Sequence, residues 1–183
     1  MGMKQAVRPA LIFIYFSATE RDTMTLFEDV IITDSIEIDA TPEKIFTFLT
    51  GIVDDESYRA WHNEDHVSFR WVKGQPWTEG AVMRAQEYLH GKLHKFKFKI
   101  TKIVPYRHIE YAPTSRFMRK FFPKSEFILE AKGEKCIFKA SGIYRVGWIG
   151  KKFFMKAIEE GLVSVRKHMK EEGENLKRII EAK

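Results

Sequence analysis

The residues of this 183-residue sequence best suited to chemistry are its histidines, and four of the six fall in two short segments. His62 and His66 lie in WHNEDH; His90 and His94 lie in EYLHGKLH. Imidazole titrates near neutral pH and ligates transition metals, so beside a carboxylate it suits proton transfer or metal binding. The second segment supplies that carboxylate. His90-Gly91 reads as a two-residue hairpin turn, because glycine tolerates positive φ. Such a turn sets Leu89 opposite Lys92, Tyr88 opposite Leu93 and Glu87 opposite His94, the last two about 5 Å apart at Cβ. Glu87 shares its face with Met83, Ala85 and Leu89, and His94 shares its face with Phe96, Phe98 and Ile100. Both polar groups therefore point to an apolar side, where an unpaired charge is costly. They are expected to be partners.

Three roles fit such a pair. It seals one end of a sheet, it works as an acid/base pair in which Glu87 orients His94, or it joins a metal site. The metal set would take His62 or His66 with Glu87 and His94, two histidines and a carboxylate. Alternation favours Val67 inward and His66 outward, and a bulge at the strand start reverses that. No cofactor is required by the sequence; a divalent metal is the one these residues admit. There is no phosphate-binding glycine loop, dinucleotide fingerprint or serine nucleophile motif, which disfavours phosphoryl transfer and nicotinamide chemistry.

The elements that must position these groups can be read from periodicity. Residues 30 to 38, VIITDSIEI, alternate as a strand. Thr41, Pro42 and Glu43 are helix-start chemistry, Ile45, Phe46 and Leu49 share a helical face, and Gly51 stops the helix. Asp54 and Asp55 start a second short helix running to about Trp61. From His66 the period is two: strands are expected from His66 to about residue 73, from Ala81 to Leu89 and from Lys92 to Val104. In the third of these, His94, Phe96, Phe98 and Ile100 alternate with Lys95, Lys97 and Lys99, so one face is buried and one is wet. A short strand from His108 to Tyr111 and a hairpin turned at Gly133-Glu134 follow. From about Gly150 to Ile180 the period returns to 3.6, with Phe154, Ile158, Leu162, Val165, Met169, Leu176 and Ile180 as the apolar stripe. Gly161 and Gly173 interrupt it, as a bend, a close approach or a tolerated cost. The expected architecture is α+β: a curved antiparallel sheet of about six or seven strands wrapped around a long C-terminal helix, with two short helices after strand 1. A curved sheet cannot touch a straight helix everywhere, and the gap is a natural apolar cavity. Its expected contact surface is Trp61, Met83, Phe96, Phe98, Phe138, Tyr144 and Leu162, with Glu87 and His94 as polar anchor.

Composition bounds the class. Hydrophobic residues are 44% and charged residues 31%, which is globular, and 15 phenylalanines supply large apolar side chains. Lysine and arginine total 31 against 25 acids, a formal charge of +6 spread along the chain. The lone Cys136 excludes an intrachain disulfide and fits a reducing cytoplasm. Ala10 to Phe16, ALIFIYF, is too short to span a bilayer. Residues 1–23 read as an N-terminal extension and 24–183 as one ligand-binding domain. RFMRKFFPK, residues 116–124, interleaves Arg116, Arg119, Lys120 and Lys124 with apolar side chains, and WIGKKFF repeats the mixture. This fits a lid over the pocket mouth or contact with an anionic membrane surface; single-stranded nucleic acid is disfavoured.

The order of these elements, with SIEIDATPEKIFTFL, YRAWH, Gly80 opening a strand, ITKIVPYRHIEY and the final helix, resembles the START-like helix-grip (SRPBCC) superfamily, and within it the polyketide cyclase/dehydrase-like group. The resemblance covers roughly residues 28–180. It implies a fold and a hydrophobic cavity. It leaves activity open, because such folds include lipid carriers, hormone-binding proteins, cyclases, chaperone activators and oxygenase domains.

Overall fold

The computed structural model describes residues 27–182, so the expected extension over 1–23 lies outside the described residues. Seven strands and three α-helices follow one another as β1 (Phe27–Ile38), α1 (Pro42–Thr50), α2 (Asp55–Trp61), β2 (His66–Lys73), β3 (Val82–Leu89), β4 (Lys92–Val104), β5 (His108–Pro113), β6 (Lys124–Lys132), β7 (Lys135–Gly147) and α3 (Trp148–Glu181). A 3₁₀ turn, Met118–Lys120, interrupts the β5–β6 connection.

Local chemistry explains the boundaries. The Thr41 side chain accepts from the Lys44 amide, with Pro42 in the first turn of α1. Asp54 and Ser57 form a reciprocal capping box at the start of α2. His90 and Gly91 both take positive φ, 55° and 67°, the backbone of a type I′ hairpin turn.

The strands form one antiparallel sheet in the order β1-β7-β6-β5-β4-β3-β2. Neighbours in the chain pair as hairpins, except that β1 closes onto β7 while α1 and α2 carry the chain across to β2. On β4 the expected parity is realised: Ile100 is buried, His94, Phe96 and Phe98 are half-buried, and the three intervening lysines are exposed.

Helix α3 crosses the concave face, and its two halves differ. From His168 onward it buries His168, Met169, Glu172, Gly173, Leu176 and Ile180. Here it is clamped at the end: Lys44 Nζ donates to the Ile180 carbonyl at 2.8 Å, and the Asp39 amide donates to Glu181 Oε1 at 2.7 Å. Its first half exposes Phe153, Phe154, Met155 and Val163. The helix breaks at Phe154 (φ −133°, ψ 20°), and neither glycine is the bend. Gly173 instead marks a close approach: a Cβ there would sit 3.4 Å from Ile36 Cγ2 of β1.

The core therefore gathers at the clamped end, around Ile38, Ile45, Leu49, Cys136, Phe138 and Leu176. Under the raised first half of α3 lies a cavity of about 1390 Å³. Phe138, expected on its wall, belongs to the core instead, 1% exposed and 5.5 Å from the Phe127 ring, because β7 is covered there by α3.

Candidate functional site

Glu87 and His94 are register partners on β3 and β4, as the hairpin requires. Their side chains do not pair. Glu87 Oε2 lies 3.0 Å from Nε2 of His168, and this α3 histidine reaches down from above the sheet to intercept it. His94 stacks along Phe96, centroids 5.9 Å apart, and its Nε2 is buried without a hydrogen-bond partner. The expected Glu87–His94 pair is thus corrected to Glu87–His168. Register fixes backbone partners, whereas the helix decides which side chain fills the space between them.

His66 also departs from simple alternation. It pairs with Glu87, and a register shift between His66 and Ser68 turns it inward, to 2% exposure. The bulge thus puts His66 where alternation had put Val67. Its imidazole lies flat on the Tyr58 ring, centroids 3.7 Å apart and 1° between planes. Nδ1 donates to the Tyr58 carbonyl at 2.9 Å, which leaves Nε2 facing Glu172 Oε1 at 3.2 Å. His62, at the end of α2, is 3% exposed, and its Nδ1 has no hydrogen-bond partner. Trp61 holds the cluster against the helix by donating from Nε1 to the Glu172 carbonyl at 3.0 Å.

Two of the central residues, His168 and Glu172, come from α3. They are one helical turn apart, so both face the sheet. His168 Nδ1 donates to Asp65 Oδ2 at 3.1 Å, and its Nε2 is 3.6 Å from Glu172 Oε1. A sequence signal for them existed. Glu172 falls on the apolar stripe between Met169 and Leu176, where a solvated carboxylate does not belong.

Electrostatics follow from this geometry. Burial opposes charge on His168, but Glu172 and Glu87 outweigh it and raise its pKa to about 11. Burial opposes charge on Glu172 as well, yet His168 and His66 bring it down to about 2. Burial, then the charges of His66 and His168, lowers the pKa of His62. Burial, with the nearby carboxylates adding to it, raises the phenols of Tyr58 and Tyr111 and brings Tyr144 up to about 12, so all three stay neutral donors.

The cluster opens into the cavity, since Glu87, His168 and Glu172 are part of its wall. Of the expected contact residues, Trp61, Met83, Phe96, Phe98, Tyr144 and Leu162 lie on that wall. Gly142 lets Tyr144 lie back along β7, because a Cβ at 142 would stand 3.0 Å from its ring. In the 116–124 segment, Arg116, Arg119 and Lys120 are exposed, whereas Lys124 bonds to Glu126 at 3.1 Å and is not free.

Residues 29–181 match the family described as polyketide cyclase / dehydrase and lipid transport. The chain belongs to that family. No curated protein matches the sequence. Among solved structures, the aromatase/cyclase Zhui from Streptomyces sp. R1128 superposes with a TM-score of 0.64 at 12% identity, covering 84% of this chain and 94% of its own. The norcoclaurine synthase of Thalictrum flavum, solved with dopamine and hydroxybenzaldehyde, gives 0.61 at 13% identity, with 92% and 98% covered. One domain's worth of the di-domain aromatase/cyclase BexL gives 0.67 at 14% identity, with 85% of this chain and 51% of that one covered. At these identities the likeness is one of fold, a curved sheet gripping a C-terminal helix, which this chain also has in common with Bet v 1-like proteins. The described residues contain no helix long and apolar enough to cross a membrane.

Proposed function

We propose that residues 24–183 form one cytoplasmic domain that binds an apolar, aromatic small molecule beneath the first half of α3 and directs the ligand's polar end at the Glu87–His168 pair. The observation that carries this reading is an ion-paired carboxylate and imidazole, 3.0 Å apart, set in the wall of an otherwise largely apolar cavity of about 1390 Å³. Such a site buries the body of a flat ligand and leaves a donor and an acceptor to orient its oxygens. His94, with an unmade hydrogen bond at Nε2, is a further anchor. The same pair suits acid/base chemistry on a carbonyl compound, with Glu87 accepting a proton and His168 donating to the oxygen.

The test is native mass spectrometry for a co-purifying organic molecule, followed by titration with planar apolar fluorophores. Leu162→Trp, which fills the cavity from α3, should weaken fluorophore binding about tenfold or more, an order of magnitude typical of losing one good apolar contact. Unchanged binding in that variant rejects the cavity as the site. Glu87→Gln separates carrier from enzyme. Retained binding with lost turnover of the co-purified molecule marks an enzyme, and retained turnover removes Glu87 from the chemistry.

A second reading concerns how the ligand arrives. Phe117, Trp148, Ile149, Phe153 and Phe154 are 53–65% exposed, and Trp148, Ile149 and Phe154 also line the cavity. Lys152 lies over the Trp148 and Phe153 rings, 5.2 and 5.6 Å from their centroids. An apolar rim fringed by cations suits an anionic membrane surface, from which an apolar ligand is exchanged. Vesicle sedimentation should show binding that rises with anionic lipid content and falls in Phe153→Ser. Binding indifferent to lipid charge rejects this docking mode.

A further inference from the structure

Four side-chain atoms face one another at the inner end of the cavity, each nitrogen within 4 Å of both oxygens: His66 Nε2, His168 Nε2, Glu87 Oε2 and Glu172 Oε1. Their nitrogen–oxygen separations are 3.0 Å (His168–Glu87), 3.2 Å (His66–Glu172), 3.6 Å (His168–Glu172) and 3.9 Å (His66–Glu87). A tetrahedral ion with bonds of 2.0–2.2 Å to nitrogen and oxygen has edges of roughly 3.3–3.6 Å. The observed separations bracket that range.

The outer nitrogens are already committed. Nδ1 of His66 donates to the Tyr58 carbonyl and Nδ1 of His168 to the Asp65 carboxylate. An imidazole whose outer N–H is spent on a carbonyl or carboxylate presents its inner nitrogen as a lone pair, the arrangement that supports metal ligands. In the metal-free protein a proton on His168 supplies the positive charge between the two carboxylates; a divalent ion that binds there releases that proton and takes its place. A third buried imidazole adds an independent sign: Nδ1 of His62 has no hydrogen-bond partner, and one ligand nitrogen from each of His62, His66 and His168 lies within 4.8 Å of the others. The three rings form a triangle, with centroids 5.3, 5.3 and 5.6 Å apart.

We propose that this cluster binds one divalent first-row transition metal ion, zinc or ferrous iron, through His66, His168, Glu87 and Glu172, with His62 beside it. Imidazole nitrogens select these ions over calcium and magnesium, which take oxygen shells. Two carboxylates and two neutral imidazoles balance the charge of the ion inside a low-dielectric site. The set replaces His94 of the sequence-based expectation by His168 and adds Glu172. The ligands sit on β2, β3 and α3, three packed elements, so their placement does not depend on a mobile loop. The site faces the cavity, where the ion is placed to polarise a ligand oxygen as a Lewis acid. Metal binding here does not require an organic ligand in the cavity.

The experiment uses full-length protein stripped with a chelator and titrated with Co²⁺, followed by visible absorption and competed with Zn²⁺, with elemental analysis of the loaded protein. Saturation at one ion per chain is expected, with ligand-field bands of a four- or five-coordinate nitrogen/oxygen site, and a thermal midpoint that rises on loading. Glu87→Gln is expected to weaken Co²⁺ binding by about tenfold or more. His108→Ala, which removes the histidine of the separate half-buried His108–Glu110–Glu126 group, is expected to bind as the unaltered chain does. Apo far-ultraviolet circular dichroism shows whether each variant is folded. The proposal is overturned if the unaltered chain takes up neither Co²⁺ nor Zn²⁺ saturably at micromolar concentration. It is equally overturned if folded Glu87→Gln binds as tightly as the unaltered chain, or if His108→Ala abolishes uptake. Fluorophore binding by the metal-free protein is measured separately, so failure here leaves the ligand-binding reading standing.

Discussion

At the scale of single residues the protein is organised around buried charge that is paired. Glu172 is 8% exposed and His168 is likewise buried, and each has the other as partner across 3.6 Å. Removing one partner strands the other, and this costs more than the pair contributes. His168→Ala is therefore expected to destabilise the metal-free protein by about 3–5 kcal/mol in urea unfolding. His94→Ala, whose Nε2 has no hydrogen bond to lose, should cost less than about 1 kcal/mol. Equal losses would mean that the His168 contacts are not formed in solution. Cys136 is a second such residue. It is fully buried, and burial raises its thiol pKa to about 11, so at pH 8 it is neither ionised nor reachable. A disulfide-exchange reagent should label the native protein orders of magnitude more slowly than the unfolded chain. Rapid labelling at pH 8 without denaturant would show that this end of the core opens.

At the scale of elements, the β3–β4 hairpin sets the position of Glu87, and its turn is testable. His90 and Gly91 both occupy the left-handed region, where asparagine then glycine is the preferred pair. His90→Asn should stabilise by up to about 1 kcal/mol, and Gly91→Val should destabilise by about 1–2 kcal/mol because a β-branched residue is strained there. Thermal unfolding reads both, and a neutral Gly91→Val would contradict the turn type. This element was legible from sequence, down to the residue pairs, because hairpin register is a local property of two turn residues and a period of two. The inward turn of His66 was not. It depends on a bulge, and only the partner strand fixes which residue is extra.

At the scale of the whole molecule, one helix does two jobs because the sheet curves away from it. Where α3 touches β1 it closes a core; where it rises, it roofs a cavity. Phe138 lies at the closed end, 1% exposed, so Phe138→Ala should cost about 3–5 kcal/mol in urea unfolding. A cost below about 1 kcal/mol would place Phe138 on a cavity wall instead. The apolar stripe of α3 was read from sequence without this distinction. Periodicity shows which face of a helix turns inward, but not whether a sheet waits beneath it.

The sequence by itself determined the order of the elements, their boundaries to within about three residues, the parity of β4 and the hairpin pairing of Glu87 with His94, because each is set by residues close together in the chain. Only the tertiary structure decided that His168 and Glu172, some eighty residues further on, would meet Glu87 and His66. It also decided that the helix break falls at Phe154 and that Phe138 belongs to the core. The reason is that side-chain partnership across a cavity depends on how a curved sheet and a straight helix diverge, a distance that no local pattern of residues encodes.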